Sequence, residues 1–303
     1  MTRVPFGWIV VWCVWASVAA AQIGVSPPRS EVFLDEGAAT HTLRVYNFGD
    51  NDIDVAVSVK TWELDENSKV QLVEPTEQSL DQWMIVNPLK FHLTAGGSQA
   101  IRFSVRPKVA PEPGEHRAII YFDELPGENE DPTVPKVRFR FGSAVYAYAN
   151  PIERSAVLQG LTFENSILRI DVESTGNAHV RLVGQMAIWR ADAYPGPGAT
   201  TKIPGLEEGK ATLPEGVVRA SMLPSTPVLA GTRRTLAIAA PPDLDPGDYV
   251  FDVDGTIENI SLQQGFEFTI ALPAVTQPAV TLPTATPEPA SAAEPTSSPP
   301  PGE

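Results

Sequence analysis

The chain has 303 residues, with 22 Lys and Arg against 37 Asp and Glu, a formal net charge of −15. So acidic a balance argues against general nucleic-acid binding and against adsorption to anionic lipid. There is one cysteine, Cys13, so disulfide frameworks, zinc–cysteine sites and cysteine nucleophiles drop out. Four scattered histidines, His41, His92, His116 and His179, lack metal-ligand spacing and read as surface or strand-end residues.

Residues 1–21 begin with Arg3, continue through an apolar stretch, Trp8 to Ala16, and close on Ala19-Ala-Ala21. A charged start, an apolar run too short to span a bilayer comfortably and a small-residue end read as a secretory signal cleaved after Ala21. The alternative is an uncleaved anchor. Cleavage removes Cys13, leaving a thiol-free protein, and removes Arg3, taking the charge from −15 to −16. The expected location is the periplasm, with the cell surface or extracellular space as alternative, and no membrane insertion once the signal is gone.

Residues 22–152 show short apolar alternations separated by turn residues, the spacing of a β-sandwich. Strands are expected at 31–34, 40–47, 54–63, 91–93, 99–105, 117–125 and 137–149. Asn47-Phe-Gly-Asp-Asn-Asp52 and Thr94-Ala-Gly-Gly-Ser98 are turn chemistry. Residues 153–272 repeat the rhythm, with strands expected at 167–173, 181–189, 217–221, 235–239, 249–255 and 265–270, and with Trp189 and Phe266 as core aromatics. No segment has a helical period. The fold expected is all-β: two tandem immunoglobulin-like β-sandwich domains, each large enough to bury a core. The Pro/Ala/Thr/Ser-rich segment 273–303 has too little apolar surface to offset its ordering entropy and reads as a disordered tail.

The stretch from Glu115 to Pro151 carries the most information. Ala118, Ile120 and Phe122 alternate with Ile119, Tyr121 and Asp123, as in a strand with one buried face. An acidic, proline-rich linker, 126–135, follows. Then Val137, Phe139 and Phe141 share one face of a second strand while Arg138 and Arg140 point away. Left at a sheet edge, such a strand is a template for a partner chain. The competing reading is that the three are core residues of a closed sandwich.

Residues from about 23 to 151 resemble the N-terminal domain of the PapD-like periplasmic pilus-assembly chaperones. The resemblance rests on Val25-Ser-Pro-Pro-Arg29, Leu43-Arg-Val-Tyr-Asn47, Trp83 before Asn87-Pro88, Phe91-His-Leu93 before Gly96-Gly97, and Gln99-Ala-Ile-Arg102. The most family-like string is Gly114-Glu-His-Arg-Ala-Ile-Ile-Tyr-Phe122, ending at Leu125-Pro126. The second domain matches only in generic features, a Gly176-Asn177 turn and Leu244-Asp-Pro-Gly-Asp-Tyr249. The resemblance implies capture of pilin-like or other secreted β-rich subunits by donation of a strand at 137–149, with an outer-membrane usher as a further partner. Release would be driven by subunit folding, without ATP. It places Val137, Phe139 and Phe141 at donor positions and Arg29 where the family holds a subunit's C-terminal carboxylate, a task suited to a guanidinium fork. The family's second anchor, a lysine on the donor strand, is here Tyr146, which has no charge. Arg140 or Arg138 could substitute.

Trp62 and Trp83 read as packing residues, and the carboxylates at 128–131 as solvated charge rather than a calcium loop. Asn259-Ile-Ser261 fits a glycosylation acceptor by chance. The chain offers no nucleophile elbow, phosphate loop or paired helical histidines, so an enzyme is not expected, and neither is a cofactor or metal. The rival function is a non-catalytic adhesion or envelope-scaffold protein. A scaffold would cover the edge at 137–141; a chaperone would leave it accessible, with Arg29 in a cleft.

Overall fold

A computed structural model describes residues 23–37, 39–65, 68–127, 138–200 and 202–272. The signal segment, the carboxylates at 128–131, Val137 and the proline-rich tail lie outside the described residues. Among those described there is no α-helix, only short 3-10 turns, and no helix long and apolar enough to cross a membrane.

The first sandwich contains β1 (Ile23–Ser26), β2 (Arg29–Phe33), β3 (Thr40–Asn47), β4 (Ile53–Lys60), β5 (Trp62–Leu64) and β6 (Val70–Leu72). It continues with β7 (Met84–Asn87), β8 (Lys90–Leu93), β9 (Ser98–Val105), β10 (Gly114–Glu124) and β11 (Arg140–Ala149). One sheet has the order β1-β3-β9-β7 and the other β2-β11-β10-β4-β8, while β5 and β6 form a separate hairpin. Alternation dictates the core: Leu43 and Val45 from β3, Ile101 and Phe103 from β9, and Ile120 and Phe122 from β10 meet between the sheets, with Trp83 beneath them. Trp83 is thus a packing residue, as expected.

The chain changes sheets at Pro27-Pro28. Before it, β1 pairs antiparallel with β3; after it, β2 pairs parallel with β11, Arg29 opposite Ala144 and Phe33 opposite Tyr148. Two successive prolines supply no N–H to either ladder, so pairing breaks there and the strand can be handed across. The sequence pattern suggested a single strand at 31–34, because four residues before a proline pair are too few to show alternation.

The second sandwich contains β12 (Ala156–Glu164), β13 (Ile167–Ser174), β14 (Val180–Arg190), β15 (Val217–Met222), β16 (Pro227–Val228), β17 (Arg233–Ala239), β18 (Gly247–Ile257) and β19 (Ile260–Ile270). Its sheets run β12-β13-β17 and β15-β14-β18-β19, with β16 also on β14. Leu168, Ile170, Ile188, Phe251 and Val253 are fully buried between them. Phe266 packs onto this core through Phe163, with ring centroids 5.3 Å apart. Trp189 faces outward instead: it is buried with Ile203, Val217 and Val250 in a separate cluster to which Leu206 and Tyr194 of the loop after β14 are added. The expected core role holds for its burial but not for its position.

A further apolar cluster joins the sandwiches: Trp62, Ile119, Tyr146 and Tyr148 from the first against Ala178 and Leu229 from the second. Gly114 sits at this joint with φ +133°, and a Cβ there would lie 2.9 Å from the Asn177 carbonyl oxygen, so only glycine fits.

Candidate functional site: an open strand edge leading to a two-arginine cleft

Among the described residues, β11 is covered along only part of its outer edge. β10 pairs with it from Arg140 to Ala149, whereas β2 pairs with it only from Ala144 to Tyr148. The Ala144 N–H donates to the Pro28 carbonyl at 3.1 Å. By the two-residue alternation of a ladder, the backbone groups of Arg140 and Gly142 face the same side, where no described strand pairs with them. Phe139, by contrast, turns its carbonyl toward β10, accepting from the Glu124 N–H at 3.1 Å. Among the described residues, 140–143 therefore present an unpaired edge in line with β2, and a strand added there would butt against Pro28 and Arg29.

Side chains at this edge divide by parity. Phe139 and Phe141 turn to the sandwich interior, half-buried against its core at the end where β2 no longer covers the strand, with their rings 6.1 Å apart. Val137, the third donor position expected, is outside the described residues. Arg140, Gly142, Ala144 and Tyr146 share the opposite face. Gly142 is bare by necessity: a Cβ there would meet the Ile119 side chain at 2.7 Å and the Tyr121 ring at 3.3 Å. Arg140 lies over the Tyr121 ring, 5.2 Å from its centroid, and is ion-paired to Asp123. It stands about 13 Å along the strand from the residue opposite Arg29, so it does not form a second anchor beside Arg29. Arg138 is exposed at the start of this segment.

Tyr146 is buried and does not replace the family's lysine as a free donor. Its ring meets Trp62 edge-on at 6.1 Å and His179 at 4.6 Å. Burial pushes its phenol pKa up, against the opposing charge of Arg181, so it stays neutral. Its hydroxyl is 3.1 Å from an Nη2 donor of Arg181. Arg181 also donates through Nε to His179 Nε2 at 2.9 Å, and through Nη1 to the Ser225 carbonyl. All three acceptors are neutral, because His179 Nε2 can accept only if the ring proton is on Nδ1. That Nδ1 bonds the Glu115 carboxylate, whose same oxygen takes the His179 backbone N–H at 3.0 Å. Arg117 holds the other Glu115 oxygen at 3.1 Å. Burial alone would raise the Glu115 pKa; the hydrogen bonds from His179 and the charge of Arg117 outweigh it and hold the carboxyl below its ordinary value. His179 is thus a buried strand-end residue joining the sandwiches, not a surface one.

Arg29 is exposed and makes no ion pair among the described residues. It and Arg181 both line two adjoining recesses. One, about 670 Å³, is walled by Pro27, Pro28, Trp62, Leu64, Val70 and Ala144, among others. The other, about 450 Å³, is mixed, with Glu31, Arg154 and Glu258 beside Phe33 and Val183. Two guanidiniums with no carboxylate partner among the described residues thus lie at the end of this strand edge, and a guanidinium fork is suited to bidentate contact with a carboxylate. The sequence reading sought the second cation on the donor strand and so missed Arg181. Its signal was only a basic residue at a strand start after the Gly176-Asn177 turn. Among the described residues no three acidic, histidine or cysteine side chains are placed to hold a metal ion.

No protein-family model and no curated protein sequence matches the chain. The solved structures it is similar to include the CsuC chaperone in complex with the tip subunit CsuE from Acinetobacter baumannii, at 16% identity and a TM-score of 0.41, covering 82% of this chain and 98% of that one. The SafB chaperone in complex with the Salmonella enterica pilin SafA is 14% identical with a TM-score of 0.36, covering 82% and 96%. The E. coli chaperone DraB is 13% identical with a TM-score of 0.38, covering 83% and 96%.

Proposed function

We propose that this protein is a periplasmic chaperone that holds secreted β-rich subunits, of pili or of another surface structure, by pairing them with the open edge of β11. The observation that carries the reading is the geometry of that edge: unpaired over residues 140–143 by any described strand, backed by half-buried Phe139 and Phe141, and ending at Arg29 and Arg181. A subunit strand would lie parallel to β11, continuing the line of β2, with its C-terminal carboxylate between the two guanidiniums. Main-chain hydrogen bonds supply affinity. Completing the burial of each phenylalanine adds up to about 1.5–3 kcal/mol, less what each already gains from its own core. Arg181 takes the part that the resemblance assigns to a lysine on the donor strand. A cleft and an exposed edge are what the chaperone reading requires and a scaffold module lacks. Holding by strand pairing needs neither nucleotide nor catalytic group.

The test is capture of secreted subunits from the native periplasm by the tagged protein, run beside a Phe139→Asp/Phe141→Asp variant and an Arg29→Glu variant, each checked for folding by circular dichroism. Secreted β-rich subunits retained by the wild type and lost by both folded variants are the expected result. The same partners on all three proteins, or no subunit on any, would remove the chaperone reading.

A further inference from the structure

Building on the carboxylate-anchoring reading just given, we infer that the apolar side of the cleft reads the last side chain of the client, and that the preferred clients end in a bulky apolar residue. The cleft is asymmetric about its arginine pair. Beyond Arg29, along β2, the lining mixes the charged Glu31, Arg154 and Glu258 with Phe33 and Val183. On the side toward the open edge it is Pro28, Trp62, Leu64, Val70, Ala144 and Pro227. A strand arriving along residues 140–143 reaches this second side first. Once its carboxylate meets Arg29 and Arg181, a terminal side chain on the cleft face has mostly apolar walls beside it, broken only by the hydroxyls of Ser68 and Thr226 and the phenol of Tyr146. Small Ala144, opposite Arg29 in the ladder, leaves the room. A volume of about 670 Å³ lies in the range of sites that enclose a large apolar group.

The wall is preformed. Val70 is exposed on the β5–β6 hairpin, yet that hairpin is pinned to the second sandwich: buried Arg234 of β17 donates to the Asp65 carbonyl at 2.9 Å and to Ser68 Oγ at 2.8 Å. An acidic terminal side chain would have to compete with the terminal carboxylate for Arg29 and Arg181 and would otherwise give up its hydration against this wall, whereas an apolar one gains from contact. Charge complementarity fixes the occupant as a free carboxyl terminus, and the apolar wall fixes the class of its last residue.

The probes are fluorescent eleven-residue peptides of alternating valine and threonine that end in Phe, Ala or Asp as free acids, plus the Phe peptide as its carboxamide. Binding is read by fluorescence anisotropy. The Phe acid should bind about ten-fold or more tightly than the Ala and Asp acids. Val70→Asp, at an exposed position, and Ala144→Leu, which fills the recess, should each abolish that preference while the free acid still outbinds the carboxamide. Unfolding midpoints confirm that both variants fold. Equal binding of the three acids, with the carboxamide weaker, overturns the inference and leaves carboxylate anchoring in place. Equal binding of acid and carboxamide, or no binding of any peptide, overturns the anchoring reading and the inference with it.

Discussion

The two halves of β11 are built from one alternating sequence and end in different states. From Ala144 onward the strand is flanked by β2 and β10, and its cleft face carries Tyr146 and Tyr148 into the joint between sandwiches. From Arg140 to Ser143, among the described residues, it has β10 on one side only, and Phe141 remains half-buried. What separates them is the length of β2, which stops pairing where Pro27-Pro28 hands the chain to the other sheet. A rigid half thus fixes the register of an open one. The Ser143 hydroxyl, donating to the Pro27 carbonyl at 3.0 Å, sits at the boundary.

Phe122 and Phe141 give the sharpest way to test this contrast, because they are direct ladder partners with unequal cover. Phe122 is 1% exposed in the core, and Phe122→Ala should cost about 3–5 kcal/mol. Phe141→Ala removes the same atoms from a half-covered site and should cost about 1–2 kcal/mol. Urea unfolding of both variants measures the difference. Equal losses would mean that the open half is as closed as the rest of the core.

Much of that architecture was legible in the sequence because its signals are local. The alternation of β10 and β11, the turns at Asn47 and Gly96, and the change of rhythm near residue 152 all lie within a few residues of one another. β1, β7 and β16 are too short for a period to show, β6 has no buried residue, and a register shift between Leu158 and Gly160 breaks the pattern of β12. The cleft was half legible. Arg29 could be placed by resemblance, but Arg181 reaches it only through the packing of one sandwich on the other. Nothing local marks the Glu115–His179 contact that fixes this packing, nor shows that Tyr146 is covered by Trp62.

That contact should carry the next largest effect, and it probes the rigid half. Both side chains are almost wholly buried, so Glu115→Ala strands His179 and Arg117 without their acceptor. Removing one member of such a group costs about 3 kcal/mol. The Glu115 carboxyl is held below its ordinary pKa by His179 and Arg117 against the opposing effect of burial. Its folded pKa therefore lies below its unfolded one. The stability it contributes is complete above the ordinary carboxylate value and is lost as pH falls through the depressed folded value. Thermal unfolding from neutral pH downward should show wild type and variant converging in that acid window. Parallel curves would mean that Glu115 stays neutral and acts only through packing.

An effect no larger than that of Phe141→Ala belongs to the open half, at Gly142. Its backbone has no unusual conformation; the constraint is space alone, since an added Cβ would lie 2.7 Å from Ile119 Cγ2. Ile119 itself is buried in the joint and can give only slightly. Gly142→Ala should therefore cost about 1–2 kcal/mol, at the low end for overpacking, by pushing Ile119 or the Tyr121 ring aside. The displaced groups lie on the cleft face, whereas the Arg140 and Gly142 backbone groups that would bind a partner strand lie at the edge. Peptide affinity measured by anisotropy should thus change less than stability does. If binding fell by more than ten-fold while the fold held, the partner would be recognised through the Tyr121 face and not through the strand edge, and the division of β11 into a fixed half and an open edge would have to be redrawn around that face.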